Sequence, residues 1–181
     1  EAIIMSEIGK FLMNGSLYRG VKPVMWSPVE KTALAEAEIE YHDHVSTTIF
    51  ARFPIKKAPL EILNDYEIII WTTTPWTMPG NRAVAYGKDI DYSLLEITGV
   101  NENSLAKIGD KIVVANQLLE EAIKELSISN YNVSKKLKGS DFEGSILAHP
   151  LNGYGYDHDV LLLEADFVTT DQGTGFVHIA P

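Results

Sequence analysis

The densest run of hydroxyls in the chain is Trp71-Thr72-Thr73-Thr74-Pro75-Trp76-Thr77-Met78-Pro79-Gly80-Asn81, placed directly after Ile68-Ile69-Ile70. A threonine hydroxyl donates and accepts hydrogen bonds and does not titrate near neutral pH. A group of them can therefore orient a water or hold a developing oxyanion without changing charge. The isoleucines read as a buried strand, so the threonines fall at its end. There Thr72 and Thr74 share one face, Thr73 points to the other, and Pro75 removes a ladder donor and stops the pairing. Threonine also simply favours strands, but four hydroxyls around a Pro-aromatic turn are more than that preference accounts for.

A second cluster, Asp171-Gln172-Gly173-Thr174-Gly175-Phe176-Val177-His178-Ile179-Ala180-Pro181, sets two glycines around a threonine before a short apolar run. Glycines let backbone amides approach a polar ligand closely, although Gly-Thr-Gly alone equally describes a bulge. His178 in an apolar strand, taken by itself, reads as a satisfied structural imidazole before a functional one. Other engines are missing: there is no G-x-x-x-x-G-K, no G-x-S-x-G and no H-E-x-x-H. His42-Asp43-His44 offers two imidazoles without the third or fourth ligand that zinc requires, and it reads as a solvated loop with no metal. Asn132-Val133-Ser134 matches a glycosylation acceptor, a match that reads as chance without a secretory leader.

The composition narrows the class. With 181 residues, 45% hydrophobic and 22% charged, the chain reads as one globular domain with appendages. No apolar stretch approaches the ~20 residues of a membrane span, so no membrane partner is expected. The absence of Cys excludes disulfides, thiolate metal sites and a cysteine nucleophile, and points to the cytoplasm. A formal charge of −10 opposes indiscriminate binding to phosphate backbones, so any nucleic-acid contact must be local. The opening Glu1-Ala2-Ile3-Ile4-Met5 suggests an excised segment.

These groups must be held by a scaffold. Ile3, Ile4, Ile8, Phe11 and Leu12 fit one helical face, stopped by Asn14-Gly15. Val21–Trp26 is β-favouring, and Thr32–Glu38 is ambiguous between helix and loop. Strands are expected over Val45–Phe53, Glu67–Thr74, Ala83–Tyr86, Tyr92–Ile97, Lys111–Ala115, Tyr131–Lys135, Val160–Leu163 and Gly175–Ile179, with one helix at Gln117–Leu126. This is a mainly β, α+β pattern. It predicts a closed or nearly closed β-barrel with a few peripheral helices over residues 45–181, preceded by a lead-in segment over 1–44.

The threonine and Gly-Thr-Gly motifs together resemble the editing domain inserted into isoleucyl-tRNA synthetases. Arg19-Gly20-Val21-Lys22-Pro23-Val24-Met25-Trp26-Ser27-Pro28 and Ala33 to Tyr41 are similar to the connection leading into it. Valyl and leucyl relatives typically carry Thr-Thr-Arg-Pro, whereas here Thr74 takes the Arg place and Trp76 follows Pro75. The resemblance implies hydrolysis of valine wrongly esterified to isoleucine tRNA, with valyl-adenylate as a second candidate substrate. One methylene in an attractive pocket is worth only about 1–3 kcal/mol, a limit for which isoleucine against valine is itself the established example, so a smaller second sieve is needed.

The resemblance further implies catalytic positions at Thr72, Thr74, Thr77 and His178, with His178 as part of the wall that rejects isoleucine. Substrate contacts are implied at Thr73, Trp76, Asn81, Gly173, Thr174 and Gly175, although alternation on the strand turns Thr73 away. No cofactor is implied for the domain, ATP and Mg belonging to the parent enzyme. The implied partners are the valine-bearing acceptor end of isoleucine tRNA and the remainder of the synthetase. Lys56, Lys57, Lys135, Lys136 and Lys138 are candidate phosphate contacts, or simply solubilising strand lysines. In the family this strand runs on to an Asp that binds the substrate ammonium. The chain ends at Pro181, so the polypeptide alone is expected to hydrolyse valyl-tRNA feebly. The rival readings are a valyl- or leucyl-type editing domain and a noncatalytic module that binds the tRNA acceptor end.

Overall fold

The computed structural model describes residues 1–181, which divide into one unit at Glu1–Val45 and another at Ser46–Pro181. In the first unit the predicted helical period is realised as α1 (Ala2–Met13). It stops where expected, with Gly15 at φ +79° and its N–H donating to the Leu12 carbonyl at 3.2 Å. The β-favouring Val21–Trp26 does not form a strand of that length. Pro23 within it and Pro28 just past it cannot donate, and only a two-residue ladder forms, β1 (Trp26–Ser27) against β2 (Thr32–Ala33). The ambiguous stretch behind it resolves into a 3-10 turn at Glu36–Glu38, where the Glu38 carboxylate accepts from the Ala35 N–H at 2.7 Å. No residue of this unit is buried.

The second unit is one nine-stranded sheet. Its strands are β3 (Ile49–Lys57), β4 (Glu67–Thr72), β5 (Ala83–Tyr86), β6 (Asp91–Val100), β7 (Lys111–Ala115), β8 (Ile128–Lys138), β9 (Ile146–Ala148), β10 (Asp159–Glu164) and β11 (Phe176–Ile179). The spatial order is β11-β5-β10-β9-β3-β4-β7-β6-β8, with parallel pairing only between β5 and β10 and between β4 and β7. The helix expected at Gln117–Leu126 is a 3-10 turn at Asn116–Leu118 followed by α2 (Leu119–Glu125), which buries Leu118 and Ala122.

The mainly β, α+β class holds, and the closed barrel does not. The end strands β11 and β8 are not paired with each other. A single bond, from the Ala115 N–H to the Thr174 carbonyl at 2.9 Å, ties the approach to β11 onto the end of β7. β7 is paired with β6 along its length and with β4 only over Glu67↔Ile112 and Ile68↔Val113, and the free end beyond Val113 gains this one bond and no ladder. The sheet curls without sealing.

Several strand bounds differ from the sequence reading: β8 runs over Ile128–Lys138, not Tyr131–Lys135, following β6 along its length, β4 stops at Thr72, not Thr74, and β3 is displaced from Val45–Phe53. β3 begins at Ile49 and runs to Lys57 because it changes partner midway. It pairs with β4 from Ile49 to Pro54 and with β9 from Ile55, across a register shift, and Pro54 sits at the changeover. β9 has only three residues, too few to leave a period in the sequence. At the far end an aromatic cluster closes the core. Tyr92 lies against Phe176 with ring centroids 4.6 Å apart and planes tilted by 32°, and meets Phe142 edge-on at 5.2 Å, all three being buried. The Tyr92 hydroxyl accepts from the Gly87 N–H at 3.1 Å and donates to the Gly175 carbonyl at 2.8 Å, fixing where β11 starts.

Candidate active site

Ile68, Ile69 and Ile70 are buried in β4, and the strand delivers Thr72, itself buried, to the sheet's rim. The ladder ends at Thr72, where Ile49 is its last partner, and Pro75 opens a 3-10 helix over Pro75–Gly80. The turn is knitted by its own hydroxyls. Thr72 Oγ1 accepts from the Thr74 N–H at 3.1 Å and lies 3.2 Å from Thr74 Oγ1, which is 3.4 Å from Thr77 Oγ1. The Thr74 carbonyl receives both the Thr77 N–H at 3.0 Å and the Thr77 hydroxyl at 2.7 Å.

From 101 residues away in the chain, β11 brings His178 to this turn. Its Nε2 lies 3.0 Å from Thr77 Oγ1, and its Nδ1 lies 2.7 Å from Asn81 Nδ2. The proton positions follow from counting. Asn81 Nδ2 also faces the carbonyls of Ala83 at 2.8 Å and Ile179 at 3.3 Å, so the amide presents its NH2 on that side, its two protons are shared among three acceptors, and because Nδ2 can only donate, His178 Nδ1 must accept. Thr77 has given its one proton to the Thr74 carbonyl, so Thr77 Oγ1 accepts and His178 Nε2 donates. Both nitrogens are then used by a neutral, Nε2-protonated imidazole. Burial, and secondarily the nearby His149, push the His178 pKa below its ordinary value, which agrees with that assignment.

The arrangement contains no pairing of a nucleophile with a free base. With the Thr77 proton committed, Thr72 Oγ1 donates to Thr74 Oγ1, and the Thr74 proton is held only by the long 3.4 Å contact to Thr77 Oγ1, beside a neutral imidazole that is fixed in place. Such a rim can orient water and donate to developing negative charge.

The other sequence candidates are placed differently. Thr73 is exposed, in agreement with the alternation, and Trp76 is 71% exposed. Gly173 packs on Trp71, and a Cβ there would lie 3.7 Å from the indole. Clefts of about 250 and 210 Å³ flank that indole, both lined by Gln172 and Gly173. Thr174 is buried with its hydroxyl unpartnered, and its carbonyl serves Ala115. The Gly175 carbonyl serves Tyr92, and at φ +82° a Cβ would meet that of Ala115 at 2.3 Å. These backbone carbonyls hold the scaffold. Of the candidate lysines, Lys56 pairs with Asp159 and Lys138 with Asp91, while Lys57, Lys135 and Lys136 are exposed. His42 lies 3.3 Å from the Glu40 carboxylate.

Three contributors escaped sequence reasoning. Trp71 was visible as part of the motif but had no role until Gly173 was seen against it. His149 and His158 reach the turn across more than 70 residues, and no spacing rule connects them to it.

Residues 1–172 match the family model described as tRNA synthetases class I (I, L, M and V). The whole chain aligns with isoleucine–tRNA ligases, at 57% identity with that of Gluconobacter oxydans and 54% with that of Pelagibacter ubique, and covers 19% and 20% of their lengths. The chain thus spans about a fifth of the curated relatives it matches. Among solved structures, the cytosolic leucyl-tRNA synthetase editing domain of P. knowlesi superposes with a TM-score of 0.56 at 10% identity, over 77% of this chain and 60% of that one. The corresponding P. falciparum domain gives 0.51 at 16% identity, over 64% and 41%. At such identities the likeness concerns the fold alone, and that fold is the one these editing domains have.

Proposed function

The chain belongs to the class I tRNA synthetase family of isoleucine, leucine, methionine and valine enzymes, and on that premise we propose that it is the editing module of an isoleucine enzyme, hydrolysing valine esterified to isoleucine tRNA. The observation that carries this reading is the unbroken hydrogen-bonded line Thr72–Thr74–Thr77–His178–Asn81 at the sheet rim.

An aminoacyl ester is already activated, so a water positioned by Thr72 and Thr74 suffices. Its oxygen adds to the ester carbonyl carbon, the Thr74 hydroxyl turns from its long contact with Thr77 to donate to the developing oxyanion, and the bond to the ribose oxygen breaks. The ribose oxygen leaves with the proton that the water loses. His178, neutral and held at both nitrogens, cannot be the base without breaking a bond to Asn81 or Thr77. It acts as a rigid wall, and a wall discriminates against a side chain one methylene longer more steeply than attraction can. The acceptor end carrying valine is the proposed ligand, the rest of the synthetase grips the tRNA body, and the setting is the cytoplasm. Lys135 and Lys136, exposed on edge strand β8, remain candidate phosphate contacts. Within the domain the proposed chemistry needs no cofactor.

The test is single-turnover deacylation of valyl- and threonyl-tRNA by the synthetase containing this segment. Thr74→Ala is expected to slow valyl clearance by roughly 10²-fold, the scale for losing one pre-organised donor. Unchanged valyl clearance would remove the hydroxyl rim from the chemistry. Preference for threonyl-tRNA would favour a valyl-type module, and binding without turnover a noncatalytic one.

A further inference from the structure

The turn that carries Thr77 is held from behind by the loop between β9 and β10. His149 is 1% exposed. Its Nε2 lies 2.9 Å from the Met78 carbonyl, and its Nδ1 accepts from the Leu151 N–H at 3.0 Å. Since the amide must donate, Nδ1 is unprotonated, and the ring presents Nε2–H to Met78. A stacked Tyr156 ring at 5.1 Å and the His158 ring at 5.2 Å hold the imidazole in that plane. His158 in turn puts its Nε2 3.1 Å from the Asn81 carbonyl.

Met78 and Asn81 bound the last turn of the 3-10 helix. The Met78 carbonyl already closes that turn by accepting from the Asn81 N–H at 3.0 Å. Each end of the turn is thus gripped by one imidazole of the 149–158 loop. Asn81 is also the residue whose side-chain amide fixes the tautomer of His178, and Thr77, one position before Met78, receives the other His178 nitrogen.

We propose that His149, assisted by His158, is a positioning residue for this site, holding the Met78–Asn81 turn so that Asn81 and Thr77 lock His178 as a neutral, Nε2-protonated wall. The role assigned to that wall rests on the editing reading; the brace itself does not. Neither histidine faces the hydroxyl rim through a hydrogen bond, so their action is through the turn. Any buried histidine needs partners for both nitrogens; what marks His149 is that its donor goes to the carbonyl that closes the Met78–Asn81 turn. A second histidine holds the other end of the same turn.

The experiment is nitrogen-detected NMR of the imidazoles in the full 181-residue chain at a pH where all are neutral, with backbone spectra and thermal melts as the control for folding. His149→Phe preserves the ring's volume and its stacking on Tyr156 while removing both nitrogens. The expected result is a folded chain in which His178 no longer shows one tautomer. His149→Gln, which can still donate to the Met78 carbonyl, should restore it. Should His149→Phe fail to fold, His158→Ala decides, because that side chain is partly exposed: a mixed His178 tautomer is expected there too. A single, unchanged His178 tautomer in folded His149→Phe, or in His158→Ala where the first variant is unfolded, would overturn the proposal.

In the parent synthetase, His149→Phe is expected to lower the single-turnover rate of valyl-tRNA clearance at least tenfold with little change in KM. If that enzyme clears no valyl-tRNA at all, the functional reading fails, while the tautomer measurement still decides the brace.

Discussion

A threonine hydroxyl that donates to one group and accepts from another cannot be replaced by shape alone. Thr77 donates to the Thr74 carbonyl and accepts from His178, so Thr77→Val keeps the volume and leaves the His178 Nε2–H pointing at a methyl group. An unpaired donor of this kind costs about 1–3 kcal/mol. We therefore expect Thr77→Val to melt several degrees lower and to lose deacylation, while Thr77→Ser recovers most of both. Equal behaviour of the two variants in calorimetry and single-turnover assays would separate the hydroxyl from the site. The same locking has a pH signature. Burial first, and other positive groups second, push His178 and His149 below the ordinary histidine value of 6.5. A depressed histidine pKa means the unfolded chain binds more protons in that window. The stabilisation is therefore fully present above pH 6.5 and drains away as pH falls through the lower folded values. Unfolding free energies measured across that range should fall on the acid side, and His149→Phe should flatten part of the slope. The threonine rim was legible in the sequence because strand alternation and Pro75 are local rules. The imidazoles of His149 and His158 were not, because what matters about them is which carbonyl they reach.

At the scale of elements, β4, β5, β7 and β10 were readable because each is short, apolar and bounded by turn residues. β9 and the length of β3 were not, because three residues carry no period and a strand that changes partner at Pro54 shows no break in pattern. Barrel closure failed for the same kind of reason. Composition counts strands, but only pairing shows that β11 and β8 do not meet and that β11 forms no ladder with the end of β7. In place of a ladder, the seam between β11 and β7 rests on the Ala115–Thr174 bond and on a glycine. Gly175 sits at φ +82°, with an added Cβ 2.3 Å from that of Ala115, so Gly175→Ala must push two strands apart and strain its own backbone. A loss of roughly 2–4 kcal/mol is expected in denaturant titration. Because β11 carries His178, the displacement should also disturb the imidazole. A Gly175→Ala chain as stable as the parent would mean that the seam yields and does not position β11.

The whole molecule shows an uneven distribution of burial. Every buried residue lies in the Ser46–Pro181 unit, whereas Ile3, Ile4, Phe11, Leu12 and Met13 on α1 and Trp26 on β1 are all more than half exposed. Folding stability comes from removing apolar surface from water, so a unit that buries no side chain contributes little to it. Residues 46–181 prepared alone should therefore melt within about 4 °C of the 181-residue chain, the shift that 1 kcal/mol produces at this size. Loss of the exposed apolar face of α1 should at the same time reduce self-association in light scattering. The shorter chain keeps the Tyr92 cluster, and with it an alkaline limit. Burial pushes the Tyr92 hydroxyl up to about 12 from 10. The folded state then holds a proton that the unfolded state releases, and the stabilisation, complete below pH 10, is lost as pH rises through 12. Tyrosinate absorbance should show the Tyr92 ring ionising only as the sheet unfolds, distinct from Tyr86, which burial also shifts upward. That delayed component should be the same in both chains and absent from Tyr92→Phe. If the 46–181 chain instead unfolds far below the longer one, unit Glu1–Val45 contributes stability that its exposed side chains do not account for.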